Sequence, residues 1–333
     1  MASRFAPRTP SAVIVLLLGL TGVAIVALAI ALMTGSVAVS PQSVLRALFA
    51  RDSGTETAIV RELRIPRALS AFATGGLLAI AGAFMQVLLR NPLADPYVLG
   101  LSGGAAVAAL AALATGHAAW TAPAAFAGAL VSTLLVFALA RRERTNAPWT
   151  ATRLLLTGIV IASGWGALIA LLLSIAPEVQ VRGMLFWLIG DLSTAGAPWL
   201  AFVALAAALA IGLSLARDLN VLARGSDIAE ALGVPVHRVT LAVHATAALA
   251  TAAAVTTAGT IGFVGLVVPH ALRLVVGNDQ RVLIPACAIA GGALLVFADT
   301  AARTLVAPVQ LPVGVVTALI GVPTFLWLLS REP

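Results

Sequence analysis

An all-α, polytopic membrane protein with about ten transmembrane helices is the fold this sequence predicts, and three observations predict it. Apolar residues fill 61% of the 333 positions and charged residues only 10%, against roughly 45–50% and about 25% in ordinary soluble domains. The apolar surplus is spread along the whole chain in runs close to the ~20 residues that cross a bilayer. The charge lies mainly between the runs, and its basic part is arginine throughout, with no lysine in the chain. This pattern excludes a soluble enzyme, a disordered protein and a DNA-binding module. The net charge of +7 is that of membrane loops obeying the positive-inside rule, so no nucleic acid is expected as a partner. Residues 1–333 read as a single transmembrane domain surrounded by membrane lipid.

The first run, Val13–Met33, follows Arg4 and Arg8. It is longer than the roughly 7–15 apolar residues of a cleaved signal peptide, so it reads as a retained span. Further runs follow at Ala68–Leu89, Val98–Thr115, Trp120–Ala140, Leu154–Ile175, Trp199–Ala216, Val239–Ala258, Ile261–Val276, Val282–Ala302 and Leu311–Leu329. The eighth is short and interrupted by glycine. Ten spans place both termini on one side of the membrane. Thirteen arginines then fall on that side, and Arg46, Arg51, Arg61, Arg64, Arg67, Arg182 and Arg303 on the other. The excess predicts cytoplasmic termini. Gly75, Ala79 and Ala83 recur every fourth residue and form a face for close helix packing.

Three segments are not plain spans or plain loops. In Arg61-Glu62-Leu63-Arg64-Ile65-Pro66-Arg67, Pro66 suits the first turn of a helix, which sets Arg64 and Arg67 at the outer mouth of the second span. They are either interfacial anchors that snorkel or a docking site for carboxylates. In Arg90-Asn91-Pro92-Leu93-Ala94-Asp95-Pro96, the prolines stop the helices and Asn91 and Asp95 can cap them; a tight turn is the simplest reading. The loop 217–238 holds a short helix near 226–233. Ser226 or Asp227 is its expected N-cap, Asp227 and Glu230 have capping-box spacing, and Gly233 followed by Pro235 closes it. Ile228, Ala231 and Leu232 make a small apolar face. That face packs either on the membrane domain or in a groove of a partner.

The chemistry is bounded by what is missing. A phosphate-binding loop needs a lysine, so ATP, if it drives the protein, is bound by another subunit, and the 226–233 helix is the natural contact. The one cysteine, Cys287, excludes an internal disulfide and a cysteine metal cluster. His244 and His270 are too far apart for a local metal motif and read as packed residues, so no metal site is expected. Ion-coupled carriers keep carboxylates deep in their spans, whereas here only Asp299 comes near such a position. An ion-coupled secondary transporter stays as the alternative reading.

With these motifs in order along about residues 12–331, the sequence resembles the FecCD-type permeases, membrane subunits of ABC importers for ferric siderophores, haem and vitamin B12. The resemblance rests on Arg64-Ile-Pro-Arg67, the Arg90-Asn-Pro-Leu-Ala94 turn with Leu99–Ala105, the loop helix ending Ala231-Leu-Gly233, and above all Gly259-Thr-Ile-Gly-Phe-Val-Gly-Leu-Val-Val-Pro-His270 with Arg273. Ala298-Asp299, Arg303 and Leu311–Ala318 with Gly321 and Pro323 complete it. It implies a type II ABC importer permease fold and a homodimer whose axial pore is lined by the fifth and tenth helices. Two ATP-binding subunits, carrying ATP and Mg, bind below and an external solute-binding protein docks above, so this chain binds no cofactor and catalyses no reaction. Arg64, Arg67 and Arg303 would dock the binding protein. Ser226, Asp227, Ile228, Glu230, Ala231, Leu232 and Gly233 would form the coupling helix. Asn91, Leu93, Thr150 and Thr152 would lie at the inner gate. The cargo implied is a metal chelate, a ferric siderophore first, then haem or cobalamin, and the location a bacterial cytoplasmic membrane. Two positions depart from the family pattern: Gln280, where histidine is frequent, and Gln310, where an acidic residue is frequent.

Overall fold

The computed structural model describes residues 10–35, 37–49, 54–140, 151–193, 195 and 198–330. Among them all regular structure is helical. The helices are α1 (Pro10–Met33), α2 (Pro41–Phe49), α3 (Thr55–Leu88), α4 (Leu101–Ala114), α5 (Thr121–Ala140), α6 (Ala151–Ile175) and α7 (Glu178–Ile189), followed by α8 (Pro198–Ser214), α9 (Ala216–Leu222), α10 (Ser226–Ala231), α11 (Val236–Ala258), α12 (Val264–Val276), α13 (Gln280–Thr304) and α14 (Val313–Leu329). Each of the ten apolar runs falls on a helix. Six helices are long and apolar enough to cross a membrane; α8 with α9 forms a pair bent by 63°, and α4, α12 and α14 are shorter apolar helices.

The core is organised round α3. It packs against α13, α11, α12 and α8, and from Thr74 to Val87 every residue is buried. A bilayer supplies no hydrophobic drive between helices, so contact must come from close backbone approach. Three glycine pairs provide it. A methyl built on Gly75 would overlap the Gly291 carbonyl, and one on Gly82 would overlap Gly265, which joins α3 to α13 and α12. Gly104 and Gly128 join α4 to α5 in the same way. Polar ties add direction: Gln86 donates to the Leu266 carbonyl at 3.1 Å, and Arg273 to that of Ala83 at 3.3 Å. The α6 helix is held by Trp165, whose indole N–H donates to Ser132 at 2.8 Å. Most of its length is otherwise exposed.

The structure corrects the sequence reading in three places. The second helix does not begin at Pro66. It begins at Thr55 and runs through a π-helical turn, Ile59–Arg64, in which the Ile65 N–H reaches back to the Val60 carbonyl. That wider turn accommodates a proline that cannot donate to the helical ladder. The expected capping box of α10 does not form: Gly225, with φ +129°, occupies the N-cap and no side chain caps the helix. Its expected C-terminus does form, because Gly233 takes φ +80°, and Val234 and Gly233 donate to the carbonyls of Ala229 and Glu230 at 2.9 Å, a Schellman closure. The sequence reading also passed over α2, α7 and α9.

Replacing Gly82 with valine should lower stability by about 1–3 kcal/mol, the usual cost of overpacking. Thermal unfolding in detergent would read this as a marked fall in Tm. Gly19→Val, at a position with open space around it, should leave Tm within a degree or two of the parent.

Candidate functional site

The candidate residues of the sequence analysis lie at two opposite ends of α3 and α13. At one end Asp299, 1% exposed, is shared by two arginines. Arg67 grips it through Nη2 at 2.8 Å and Nε at 3.0 and 3.1 Å, and Arg303 lies with Nε 3.1 Å from its second oxygen. Arg67 also donates to Gln310 Oε1 at 3.1 Å. Arg64 is turned inward, donating to the Leu32 carbonyl at 2.7 Å and to that of Val37, while Arg303 donates to Ala31 at 3.3 Å. Two cations thus serve the last carbonyls of α1, which have no partner within the helix.

The structure therefore brings together the three arginines singled out for docking, but most of their surface is spent inside the chain. Arg64 is 5% and Arg303 8% exposed, and the Arg67 side chain 12%. The sequence reading missed this pairing, though a signal was present. Asp299 and Arg303 are four residues apart on one helix, and an acid within a span demands a cation.

At the opposite end lie the 89–100 turn, α9 and α10. Arg90 adopts the left-handed conformation, φ +48°, and the Asn91 N–H returns to the Gln86 carbonyl at 3.1 Å, closing α3. The expected capping residues act within the turn. Asn91 accepts from the Leu93 N–H at 2.9 Å, and Asp95 accepts from the Tyr97 N–H at 2.8 Å, which starts the 3₁₀ turn Pro96–Leu99. Burial pushes the Asp95 carboxyl up to about 6 against the opposing pull of that N–H. Leu93 is 39% exposed. Of the other two gate candidates, Thr150 lies outside the described residues, and Thr152 is described only as backbone in the first turn of α6.

On α10, Ala229 is buried against the body, whereas Ile228 and Leu232 are 50% and 65% exposed. Asp227, Glu230, Ala231 and Gly233 are exposed and Ser226 half-buried. The apolar face thus points away from its own chain.

A third junction explains the longest motif. Between α11 and α12 the chain breaks at Gly259, φ +68°, and at Phe263, φ +69°. The Phe263 ring lies where a side chain on Gly321 would otherwise sit. Around this break the Asp191 N–H donates to Ala258 at 2.8 Å and the Val313 N–H to Gly190 at 3.0 Å. Thr260 donates to Leu188, and the Ile261 N–H to the Tyr97 hydroxyl at 3.1 Å. The ends of α7, α11 and α14 are thereby locked together. Beside them lies a cavity of about 1320 Å³, lined by Arg182, Phe186, Asp191, Leu200, Thr257 and Gln310 among others. Neither α6 nor α14 lines it, so it is not the pore that the resemblance sets on those helices. His244 packs edge-on against Phe137 and His270 against Phe325.

Fold and site define a class: a multi-pass membrane permease of the metal-chelate ABC importer type. A solved inward-facing conformation of a metal-chelate type ABC transporter is similar over 95% of this chain and 99% of its own, with a TM-score of 0.83 and 28% identity. The chain belongs to the FecCD transport family, which matches residues 23–331. Among its relatives, the cobalamin import system permease protein BtuC of Halobacterium salinarum is 44% identical over 84% of this chain and 75% of its own length. The vitamin B12 import system permease protein BtuC of Vibrio cholerae is 40% identical, over 85% and 86%. The hemin transport system permease protein HmuU of Yersinia pestis is also 40% identical, over 81% and 82%.

Two predictions follow from the charged groups. Asp299→Ala leaves two buried arginines facing each other and should cost about 3–5 kcal/mol, read as a large fall in Tm. Asp95 is harder to ionise folded than unfolded, so the stability it contributes is present below about pH 4 and lost as pH rises through about 6. Asp95→Asn keeps the acceptor for Tyr97. Its Tm gain over the parent should be small at pH 4 and grow towards pH 8.

Proposed function

We propose that this permease works as a homodimer in a bacterial cytoplasmic membrane, with two ATP-binding subunits at the α10 end and a solute-binding protein at the Asp299 end. The observation that carries this reading is α10: a closed two-turn helix that presents Ile228 and Leu232 to the outside. Such a helix is marginal alone and gains stability in a partner's groove. The lack of lysine supports placing ATP and Mg on that partner, leaving this chain a transport subunit without chemistry of its own. The large exposed apolar faces of α6 and α14 support a second copy across an axial pore, with all ten apolar helices as spans. The α10 end carries Arg90, Arg217, Arg224, Arg238 and Arg281, which supports a cytoplasmic position for it and for both termini. Asn91 and Leu93 then stand with Thr150 and Thr152 at the inner mouth.

At the outer end, Arg67 keeps the most accessible edge of the cluster and is the direct contact for a binding-protein carboxylate. Arg64 and Arg303 hold the platform on which it stands. For the cargo, the relatives at 40–44% identity are named for cobalamin, vitamin B12 or hemin, and this favours a macrocyclic metal chelate, cobalamin first, over the ferric siderophore that the family resemblance put first. Asp299 is neutralised by two arginines, which argues against its use as the titrating acid of an ion-coupled carrier.

The test is reconstitution with the cognate subunits. ATP-dependent uptake of radiolabelled cobalamin, hemin and a ferric hydroxamate should favour cobalamin by at least about tenfold. Uptake driven by an ion gradient without ATP would overturn the reading. Leu232→Asp should release the ATP-binding subunit on purification; an intact, coupled complex would remove α10 from the role proposed.

A further inference from the structure

Asn220 stands in α9, the short helix that leads α8 into α10. Its side-chain amide is used at both ends: Nδ2 donates to Asp279 Oδ1 at 2.8 Å, and Oδ1 accepts from the Gln280 backbone N–H at 2.8 Å. The same Asp279 oxygen caps α13 by accepting from the Arg281 N–H at 3.1 Å. Beside it Gln280 is buried, with its own amide returned to the Asn278 carbonyl at 3.3 Å. A single side chain therefore pins α9 to the first turn of α13. On the other side, α10 packs on α9, and the Gly225 N–H returns to the Leu222 carbonyl at 3.0 Å.

From this clamp α13 runs as one helix of 25 residues, with Pro285 in its second turn, about 37 Å at 1.5 Å per residue. Its far turns carry Asp299 and Arg303. Midway, Gly291 rests against Gly75 of α3 with no space for even a methyl group, so the two helices cannot be pressed closer. α13 is thus held at three points: by Asn220 at one end, by Gly75 in the middle and by Arg67 at the other end. Such a helix transmits displacement along its axis, because its neighbours resist bending, at Pro285 as elsewhere, and beyond that proline its backbone hydrogen bonds resist stretching.

We propose that Asn220 is a positioning residue that couples α10 to α13, so that a displacement of α10 is delivered to the Asp299–Arg67–Arg303 cluster, and a load on that cluster is returned to α10. The proposal rests on the reading of α10 as the ATPase contact. It names the residue through which that contact reaches the opposite surface.

The experiment exchanges donor and acceptor. Asn220→Asp removes the donor and sets a carboxylate against Asp279. Asn220→Asp combined with Asp279→Asn restores the bond between the two side chains with donor and acceptor exchanged, while residue 220 still accepts from the Gln280 N–H; asparagine caps a helix as well as aspartate. In proteoliposomes holding the full complex, N220D should stay assembled, with basal ATP hydrolysis within about twofold of the parent. Stimulation of hydrolysis by loaded binding protein should fall about tenfold, a usual size for coupling between sites, and uptake with it. The double variant should recover both to within about threefold. Parental stimulation in N220D, loss of the ATP-binding subunit from N220D, or a double variant as defective as the single would each overturn the proposal. A second measurement needs no partner. Amide exchange at residues 279–282 of the purified permease should be faster in N220D than in the parent and slow again in the double variant, and unchanged exchange would reject the clamp. If exchange behaves as expected while the parent binds no ATPase, it is the reading of α10 that has failed.

Discussion

Lipid tails are as apolar as leucine, so a helix in a bilayer gains nothing by hiding leucine from its surroundings. That constraint shapes the molecule. α3 meets its neighbours backbone to backbone at Gly75 against Gly291 and Gly82 against Gly265, where dispersion operates at short range, and its Leu77, Leu78, Ile80, Phe84 and Met85 fill the space between these contacts. Many large side chains of α1, α6 and α14 face outward. The consequence is a stiff centre, α3 with α11, α12 and α13, carrying a more exposed α6 and α14. In the reading proposed above, the exposed faces of α6 and α14 are where a second copy would pack.

The polar groups follow the same economy of place. A carboxylate inside an apolar bundle is costly unless it is paired, and Asp299 is paired twice. Arg67 comes from α3 and Arg303 from α13 itself, so the cluster ties the two central helices at one end. Arg303 and Arg64 also donate to the last carbonyls of α1, a helix that packs along α13. One acid and three arginines thus fasten three helices. At the other end side-chain hydrogen bonds and helix caps do the same work: Asn220, Asp279 and Gln280 join α9 to α13, and Asn91 and Asp95 shape the turn that follows α3.

The long glycine-rich motif takes on meaning from its surroundings. Gly259 and Phe263 both adopt left-handed backbone, which breaks what would have been one helix into α11 and α12. At the break the Ala258 carbonyl accepts from the Asp191 N–H, the Ile261 N–H donates to the Tyr97 hydroxyl and the Thr260 hydroxyl donates to the Leu188 carbonyl. Irregular backbone at membrane depth is tolerated only when it is enclosed by protein in this way. The break fastens α7 and α14 to the centre, next to a cavity of about 1320 Å³.

The sequence by itself determined the class of the fold, the existence of a helix at each of the ten apolar runs and the existence of α10, because these depend on local quantities: run length and a glycine where a helix must stop. It also singled out Asp299 as the acid nearest to a span interior and Arg64, Arg67 and Arg303 as a set. Only the tertiary structure decided how they are used. The partners of Asp299 lie 232 residues away on α3 and four residues away on its own helix, and no periodicity links the first of these. It likewise decided that Pro66 sits inside a continuous helix, since a π turn costs little in sequence and leaves no mark there. It decided too that Gly225 and not Ser226 opens α10, and that Asn220 spans two helices. A hydrogen bond between distant segments depends on where the backbones pass, and packing of glycine against glycine across the core is what sets that.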